Sequence, residues 1–251
     1  MKIAIVTGAS SGMGREMVYQ LADRFGGLSE IWVIARRKEK LDEFDGKLPT
    51  KVRKFALDIT DPEDRQELAV ALQILKPDVK VLVNSAGFGK TGTVGSICES
   101  DALGMVRLNN EALITITEMV LPYISENSRI IQFASAAAFV PQPGFAIYAA
   151  TKSFVLSYSR ALSAELKKRK IYVTAVCPGT VDTEFLDLAL DGEKLPPYKR
   201  LVLSDPKKVV SCAISDSLKG KEMSVYGPVM NVFQVLCKVL PHGLIMKFIQ
   251  W

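Results

Sequence analysis

The sequence predicts an α/β fold, with one doubly wound parallel sheet of the Rossmann type and helices on both of its faces. Short apolar segments alternate with longer helical stretches along the 251 residues, as in parallel βαβ units. A glycine-rich turn at residues 7–14 joins the first apolar segment to the first helical stretch. No linker, repeat or low-complexity tract divides the chain, so we expect a single domain over residues 1–251.

The first three-quarters of the chain supply the predicted strands. These are residues 3–6, 31–35, 52–56, 79–83, 129–133 and 172–176. A turn and a helical stretch follow each strand, the first helical stretch being residues 15–23. The alternation stops at residues 184–204, which contain Pro196 and Pro197, and we expect a variable substrate loop there.

The last segment, residues 229–251, is an apolar tail. Its apolar residues recur at helical spacing as far as Pro241 and again after it. This pattern predicts two short amphipathic helices joined by a turn. We expect the helices to pack on the body or on a second subunit, near the mouth of a substrate pocket.

Composition argues against several classes of protein function. The net charge of +5 comes from short basic groups without interleaved aromatic residues, so we expect no nucleic-acid partner. One histidine and four scattered cysteines offer no metal site and suggest free thiols. No signal-like segment or apolar run of membrane-span length occurs, and we expect a cytoplasmic protein.

The turn after the first strand has the pattern Thr-Gly-x-x-x-Gly-x-Gly, with glycines at Gly8, Gly12 and Gly14. Glycines here let backbone N–H groups approach a pyrophosphate at a helix N-terminus, although a purely structural turn has the same pattern. The second strand ends at Ala35, where NAD-binding proteins commonly carry an acid, and Arg36 and Arg37 follow. Guanidinium groups suit a 2′-phosphate, so we expect NADP(H) to be preferred over NAD(H).

Tyr148 and Lys152 lie four residues apart, a spacing that places both on one face of a helix. A phenol ionises near pH 10, and a neighbouring ammonium favours the phenolate. The pair therefore predicts acid–base chemistry on a small molecule. Taken alone, it also fits an inward tyrosine beside a solvated lysine.

As a set, these motifs resemble the short-chain dehydrogenase/reductase family. Residues 84–87, Asn-Ser-Ala-Gly, resemble its Asn-Asn-Ala-Gly motif, and residues 178–183 resemble its segment over the nicotinamide carboxamide. The resemblance implies cofactor contacts by Tyr148 and Lys152 and by Gly8, Ser10, Ser11, Gly12, Met13, Gly14, Arg36, Arg37, Asp58, Ile59, Asn84, Ala86, Gly87, Pro178, Gly179, Val181 and Thr183.

The resemblance also implies a catalytic set of Asn109, Ser135, Tyr148 and Lys152. Tyr148 would protonate a carbonyl oxygen that also accepts a hydrogen bond from Ser135. Lys152 would hold the nicotinamide ribose and lower the pKa of Tyr148, and Asn109 would support a water beside Lys152. The expected reaction is reversible hydride transfer between NADP(H) and a carbonyl or secondary alcohol.

Apolar residues indicate an apolar substrate, unless they only pack the loops onto the body: Phe139, Val140, Phe145, Phe185, Leu186, Leu188, Leu190 and Leu195. Two alternatives stay open: a non-catalytic cofactor-binding sensor, and a membrane-peripheral lipid or steroid dehydrogenase anchored by the tail. We favour a lid or subunit interface over a membrane anchor for the tail, and expect a homodimer or homotetramer.

Overall fold

The computed structural model describes residues 1–190, residue 192 and residues 203–247. Within them, seven parallel strands form one sheet in the order β3-β2-β1-β4-β5-β6-β7. The strands are β1 (Lys2–Thr7), β2 (Glu30–Ala35), β3 (Lys51–Ala56), β4 (Asp78–Asn84), β5 (Ile124–Phe133), β6 (Tyr172–Val176) and β7 (Met223–Ser224).

Helices connect successive strands. They are α1 (Gly12–Arg24), α2 (Lys38–Asp42), α3 (Pro62–Leu75), α4 (Glu99–Val106), α5 (Leu113–Val120), α6 (Ala146–Leu166), α7 (Glu184–Leu190), α8 (Pro206–Leu218), α9 (Pro228–Val239) and α10 (His242–Ile245). A π-helical turn, Arg107–Ala112, joins α4 to α5, and short 3₁₀ turns lie at Leu121–Tyr123, Ala136–Phe139 and Lys167–Arg169.

The helices cover both faces of the sheet. On one face, Trp32 and its neighbours pack against Leu68 of α3 and against α5 and α6. On the other face, Val33 packs in a cluster with Met17 of α1 and Val210 of α8. Each such fully buried apolar side chain stabilises the fold by about 1.5–3 kcal/mol. Because helices cover both faces of the sheet, strands such as β1 and β2 consist mostly of apolar residues.

Local sequence fixes several helix starts. At α3, the Asp61 carboxylate accepts from the Glu63 amide at 2.8 Å, and Pro62 is the first helical residue. At α8, Asp205 accepts from the Lys207 amide at 2.8 Å, again before a proline. A carboxylate N-cap followed by proline satisfies an otherwise unpaired N–H and presets the helical φ angle.

The predicted fold class is confirmed, and each of the six predicted strands occurs, several of them longer at their ends. The two-residue strand β7 was missed because it is too short to show periodicity. The expected loop at 184–204 begins with helix α7, while Leu195, Pro196 and Pro197 lie outside the described residues. The tail forms α9 and α10, and residues 248–251 lie outside the described residues.

The parallel strands end together at one edge of the sheet. Thr7 at the end of β1 pairs in register with Asn84 of β4, and Phe133 of β5 pairs with Val176 of β6. The chain order reverses between β1 and β4, and in open α/β sheets the crevice at this point binds ligands. The site described below lies at this edge.

Candidate active site

A cavity of about 1040 Å³ opens at the carboxyl edge of the sheet. Its lining residues form two sets, one of glycines and polar residues and one that is mainly aromatic and aliphatic. The cofactor half is lined by Gly8, Ser10, Ser11, Gly12, Met13, Gly14, Arg36, Arg37, Asp58, Ile59, Ala86, Gly87, Pro178, Gly179, Val181 and Thr183. The substrate half is lined by Phe88, Phe145, Phe185, Leu186, Leu188, Met230 and Phe233. Ser135, Tyr148 and Lys152 line the same cavity.

Backbone packing shapes the glycine turn of the cofactor half. A Cβ on Gly14 would lie 2.2 Å from the Gly8 carbonyl oxygen, and one on Gly8 would lie 2.7 Å from the Ala86 nitrogen. Gly8 also has a φ of +69°, which disfavours other residues. The turn leads into α1, whose first turn carries no acidic side chain, so its positive end is suited to a phosphate.

Thr7 fixes the position of the turn after β4. Its hydroxyl oxygen accepts hydrogen bonds from the amides of Ser85 at 3.2 Å and Ala86 at 3.3 Å. Asn84 lies behind this wall, where its side-chain nitrogen donates to Thr117 at 3.0 Å. Of the predicted cofactor residues, Asn84 therefore supports the site from beneath. Thr7 is a supporting residue that the sequence indicated only as the first letter of the glycine motif.

The two arginines after β2 differ in their contacts. The Arg36 side chain is 75% exposed, and its guanidinium lies 3.9 Å from the Asp58 carboxylate. Arg37 donates to the Ser10 hydroxyl at 3.2 Å and to the Glu184 carboxylate at 2.8 Å. Arg36 is thus open to a ligand phosphate, whereas Arg37 already holds an anion from the chain itself.

Tyr148 is buried on α6 beside Ser135, which follows β5. Burial raises the pKa of Tyr148 well above its ordinary value, and the hydrogen bond with the Ser135 side chain only partly offsets this effect. The Ser135 hydroxyl oxygen also accepts from the Ala137 amide at 3.1 Å. The phenol is therefore held in its neutral, proton-donating form next to a second hydroxyl.

Lys152 is buried on α6, four residues after Tyr148, and binds a backbone carbonyl oxygen. Its ammonium donates to the Phe133 carbonyl oxygen at 2.7 Å and lies 5.7 Å from the centre of the Tyr148 ring. Burial lowers the pKa of Lys152 to about 8, although the nearby Cys177 thiol acts in the opposite direction. Burial accounts for the raised pKa of Tyr148, and the lowering of that pKa by Lys152 beside a bound cofactor stays a prediction.

Asn109 lies in the π-helical turn and, like Asn84, stands behind the cavity wall. Its side chain accepts from the Phe88 amide at 3.0 Å and donates to the Phe88 carbonyl at 2.9 Å and to the Thr151 hydroxyl at 3.1 Å. A Cβ on Gly87 would lie 2.9 Å from the Asn109 oxygen. Asn109 therefore ties the Gly87–Phe88 backbone to α6, one residue before Lys152, and local π-helices are frequent at functional sites.

Aromatic rings enclose Tyr148 in the substrate half. The Phe145 ring stacks on it with centroids 4.3 Å apart, and the Phe185 ring of α7 lies 5.4 Å away. Helix α9 adds Met230 and Phe233 to the wall. The predicted pocket residues Leu186 and Leu188 also line the cavity. Phe139 and Val140 instead pack with the tail, and Leu190 is buried without lining the cavity.

The tail packs against the loop between Ser135 and Tyr148. Cys237 and Ile245 form a buried cluster with Val140, and the Phe233 ring lies 6.4 Å from that of Phe139. A Cβ on Gly179 would lie 2.6 Å from the Met230 sulfur. These contacts make α9 part of the cavity wall, and the role of the tail stays a prediction.

Among residues 1–190, 192 and 203–247, no helix is both long enough and apolar enough to span a bilayer. The same residues contain no group of three or more His, Cys, Asp or Glu side chains arranged to hold a metal ion.

Comparison with known proteins relates this geometry to a family. Residues 2–193 match the family described as short chain dehydrogenase. Over 207 residues the chain is 31% identical to the 3-oxoacyl-[acyl-carrier-protein] reductase of Thermotoga maritima, which covers 79% of this chain and 79% of that protein.

Solved structures resemble most of the chain. A short-chain dehydrogenase from Sphingobium yanoikuyae in complex with NADPH has a TM-score of 0.78 and 25% identity, covering 96% of this chain and 97% of that one. A 3-ketoacyl-(acyl-carrier-protein) reductase from Brucella melitensis complexed with NADH has a TM-score of 0.77 and 26% identity, covering 89% and 95%. Nicotinamide dinucleotides with and without the 2′-phosphate are thus bound by similar proteins.

Proposed function

The chain belongs to the short-chain dehydrogenase family, and from this premise we propose that it transfers a hydride between NADP(H) and a carbonyl or secondary alcohol of an apolar substrate. Members of this family are oxidoreductases that act on alcohol or carbonyl groups with NAD(P), and this chain is one of them. The observation that carries the proposal is that Ser135, Tyr148 and Lys152 line one cavity together with a phosphate-compatible glycine turn.

In the proposed reaction, the bound cofactor supplies or accepts the hydride. During reduction, Tyr148 donates its proton to the carbonyl oxygen, and at neutral pH the phenol carries the proton that this step needs. Ser135 donates a hydrogen bond to the same oxygen as negative charge develops there. Lys152 would contact the cofactor ribose, and Asn109 keeps the Phe88 turn in place beneath it.

The reaction is tested with a panel of ketones and alcohols, each assayed with the reduced or oxidised form of both nicotinamide cofactors. Tyr148→Phe should lower turnover on an active substrate by about 10²-fold or more while cofactor affinity is retained, because only the proton donor is lost. Tyr158→Phe on the same helix is the matched control, since it removes a phenol that does not line the cavity. Near-normal turnover by Tyr148→Phe would refute the mechanism.

The proposed preference for NADP(H) rests on the second strand, which ends without an acid and is followed by the open guanidinium of Arg36. We expect NADPH to bind more tightly than NADH. Losing a charge-assisted contact in Arg36→Ala should weaken NADPH binding about tenfold or more and leave NADH binding nearly unchanged. The exposed Lys47→Ala controls for the loss of one positive charge. Equal affinities for both cofactors in the unmutated protein would contradict this part of the proposal.

The proposed substrate class follows from the aromatic wall. Phe145, Phe185 and Phe233 give the substrate half aromatic surface, which favours a lipid-like, steroid-like or aromatic ketone over a sugar. A non-catalytic sensor is disfavoured because Ser135, Tyr148 and Lys152 are all present and line the same cavity. We further propose a cytoplasmic homodimer or homotetramer with a single domain, which light scattering and limited proteolysis would test.

A second candidate is the same chemistry at a membrane surface. Valines of α9 are exposed in a stripe at helical spacing, with Val229 55%, Val232 59%, Val235 57% and Val239 75% accessible. Residues 223–251 contain two lysines and no acidic residue, which suits an anionic bilayer. Co-sedimentation with anionic vesicles, lost in a Val232→Asp/Val235→Asp variant, would favour this candidate. Failure of the unmutated protein to sediment would favour a lid or subunit contact.

A further inference from the structure

Glu184, the first residue of α7, places a carboxylate inside the cofactor half of the cavity. One of its oxygens lies 2.8 Å from the Arg37 guanidinium, which also donates to Ser10 at 3.2 Å. The Arg37 hydrogen bond holds the pKa of Glu184 below its ordinary value, and a hydrogen bond from the Ser11 side chain adds to this effect. Glu184 is therefore an anion at neutral pH, bound by Arg37 and Ser11, two residues that the sequence assigned to the cofactor.

We propose that Glu184 occupies the anion subsite of this cavity in the cofactor-free protein and is displaced when the 2′-phosphate of NADP(H) binds. Glu184 then acts as a specificity-determining residue that lowers affinity for 2′-phosphorylated cofactors. This inference rests on the proposed use of NADP(H). NAD(H), which has no 2′-phosphate, leaves the contact between Glu184 and Arg37 in place.

The surroundings of the carboxylate support an anion subsite. Ser11 is the N-cap of α1, yet its side chain makes no hydrogen bond to the backbone of that helix and instead contacts Glu184. The positive end of α1 thus faces the carboxylate without a competing acid in its first turn. Gly12 also lies close to the segment before α7, since its Cβ would be 3.3 Å from the Thr183 side chain. Helix N-termini with these features bind phosphate groups, and the Arg37 guanidinium is what assigns this subsite to the 2′-phosphate.

The exchange of one anion for the other is physically feasible because the existing contact is weak. The Arg37 and Glu184 side chains are 42% and 47% exposed, and exposed ion pairs contribute little to stability. A dianionic phosphate binds a guanidinium more strongly than a single carboxylate does. If Glu184 remained in place, its charge would repel the phosphate at the same arginine.

The exchange also connects the two halves of the cavity. Phe185, the next residue of α7, packs its ring 5.4 Å from that of Tyr148. Release of Glu184 from Arg37 frees the start of the helix that carries this part of the substrate wall. Hydrogen exchange of the amides in α7 should therefore rise on binding of adenosine 2′,5′-bisphosphate and not on binding of AMP.

The test measures binding by calorimetry, using NADPH, NADH, adenosine 2′,5′-bisphosphate and AMP with the full chain. Glu184→Gln should bind NADPH and the bisphosphate about three- to tenfold more tightly, and NADH and AMP within about twofold of the unmutated protein. Asp187→Asn, which removes one charge from the exposed face of the same helix, should change none of the four affinities. In a protein that also carries Arg37→Ala, Glu184→Gln should not increase the affinity for NADPH or for the bisphosphate.

Each outcome of these titrations either supports or overturns the role proposed for Glu184. Unchanged or weaker bisphosphate binding by Glu184→Gln would overturn it, as would an equal gain for bisphosphate and AMP, which would place the carboxylate against the pyrophosphate instead. If the unmutated protein bound NADPH and NADH equally, the proposed cofactor preference would fail. The bisphosphate comparison would still show whether Glu184 competes with a 2′-phosphate.

Discussion

The two halves of the cavity are built in opposite ways. In the cofactor half, the backbone of one short turn determines the shape, and Gly8 and Gly14 have no room for a side chain. In the substrate half, side chains determine the shape, and Phe88, Phe145 and Phe233 come from segments far apart in the sequence. A turn fixed by backbone contacts admits almost no variation, whereas a wall of separate side chains can change one residue at a time.

This difference explains how one family can share a cofactor and act on many substrates. The proposed contacts of the glycine turn are with groups that every nicotinamide dinucleotide has. The aromatic wall is contributed partly by α7 and α9, which lie outside the central strands of the sheet. Substitutions there alter the shape of the pocket without altering the sheet.

The largest effect is expected where the cofactor half is tightest. Gly14→Ala would bring a Cβ to 2.2 Å from the Gly8 carbonyl oxygen, so the β1–α1 connection must shift. We expect a loss of about 2–3 kcal/mol in the free energy of unfolding, together with a large loss of NADPH affinity. Gly26→Ala is the matched control, because a Cβ there meets nothing within 4 Å. Urea unfolding and cofactor titration measure both quantities, and equal stability of the two variants would show that the turn is more adaptable than its geometry indicates.

The cofactor half was largely predictable because its signals are local. Gly8, Gly12 and Gly14 follow the first strand directly, and Arg36 and Arg37 follow the second. Parallel strands bring such loop residues to a common edge, so their meeting could be expected without the structure. The supporting positions of Asn84 and Asn109 could not be expected, because they depend on which hydrogen-bond partners lie beneath the loops.

The substrate half was predictable only in character. The many apolar residues indicated an apolar pocket. The sequence could not show that Phe233 lines this pocket, or that Phe139 packs with the tail instead. Both facts depend on tertiary packing between segments about a hundred residues apart. The contact between Arg37 and Glu184 has the same origin, and neither residue carries a local signal for it.

An intermediate effect is expected from Lys152, the buried cation between the two halves. Burial lowers its pKa in the folded protein to about 8, whereas the unfolded chain keeps the proton until about 10.5. Between these values the unfolded state binds more protons, so the free energy of unfolding should rise with pH. Relative to Lys152→Met, the unmutated protein should gain about 1.5 kcal/mol from pH 8 to about 9.5.

The Lys152→Met reference is needed because other groups also titrate. Burial raises the pKa of Tyr148 and of Cys177, and each of them lowers stability as pH rises above its unfolded value. Both groups are present in the variant, so they largely cancel in the difference. Chemical denaturation across this pH range provides the measurement. A difference that stays flat would mean that Lys152 keeps its ordinary pKa, and that the site does not hold a costly buried charge.

The smallest effect is expected in the substrate half, where one side chain of the wall can be removed without moving the sheet. Phe233→Ala deletes a ring that lines the cavity and packs on Phe139, and the space it leaves can fill with water or relax. We expect KM for an apolar ketone to rise about three- to tenfold, equivalent to about 1 kcal/mol, with NADPH affinity unchanged. Val235→Ala on the same helix is the control, because that side chain is 57% exposed and lies outside the cavity lining. If Phe233→Ala weakened NADPH binding as much as substrate binding, the two halves would not be independent, and the tail would have to be counted as part of the cofactor site.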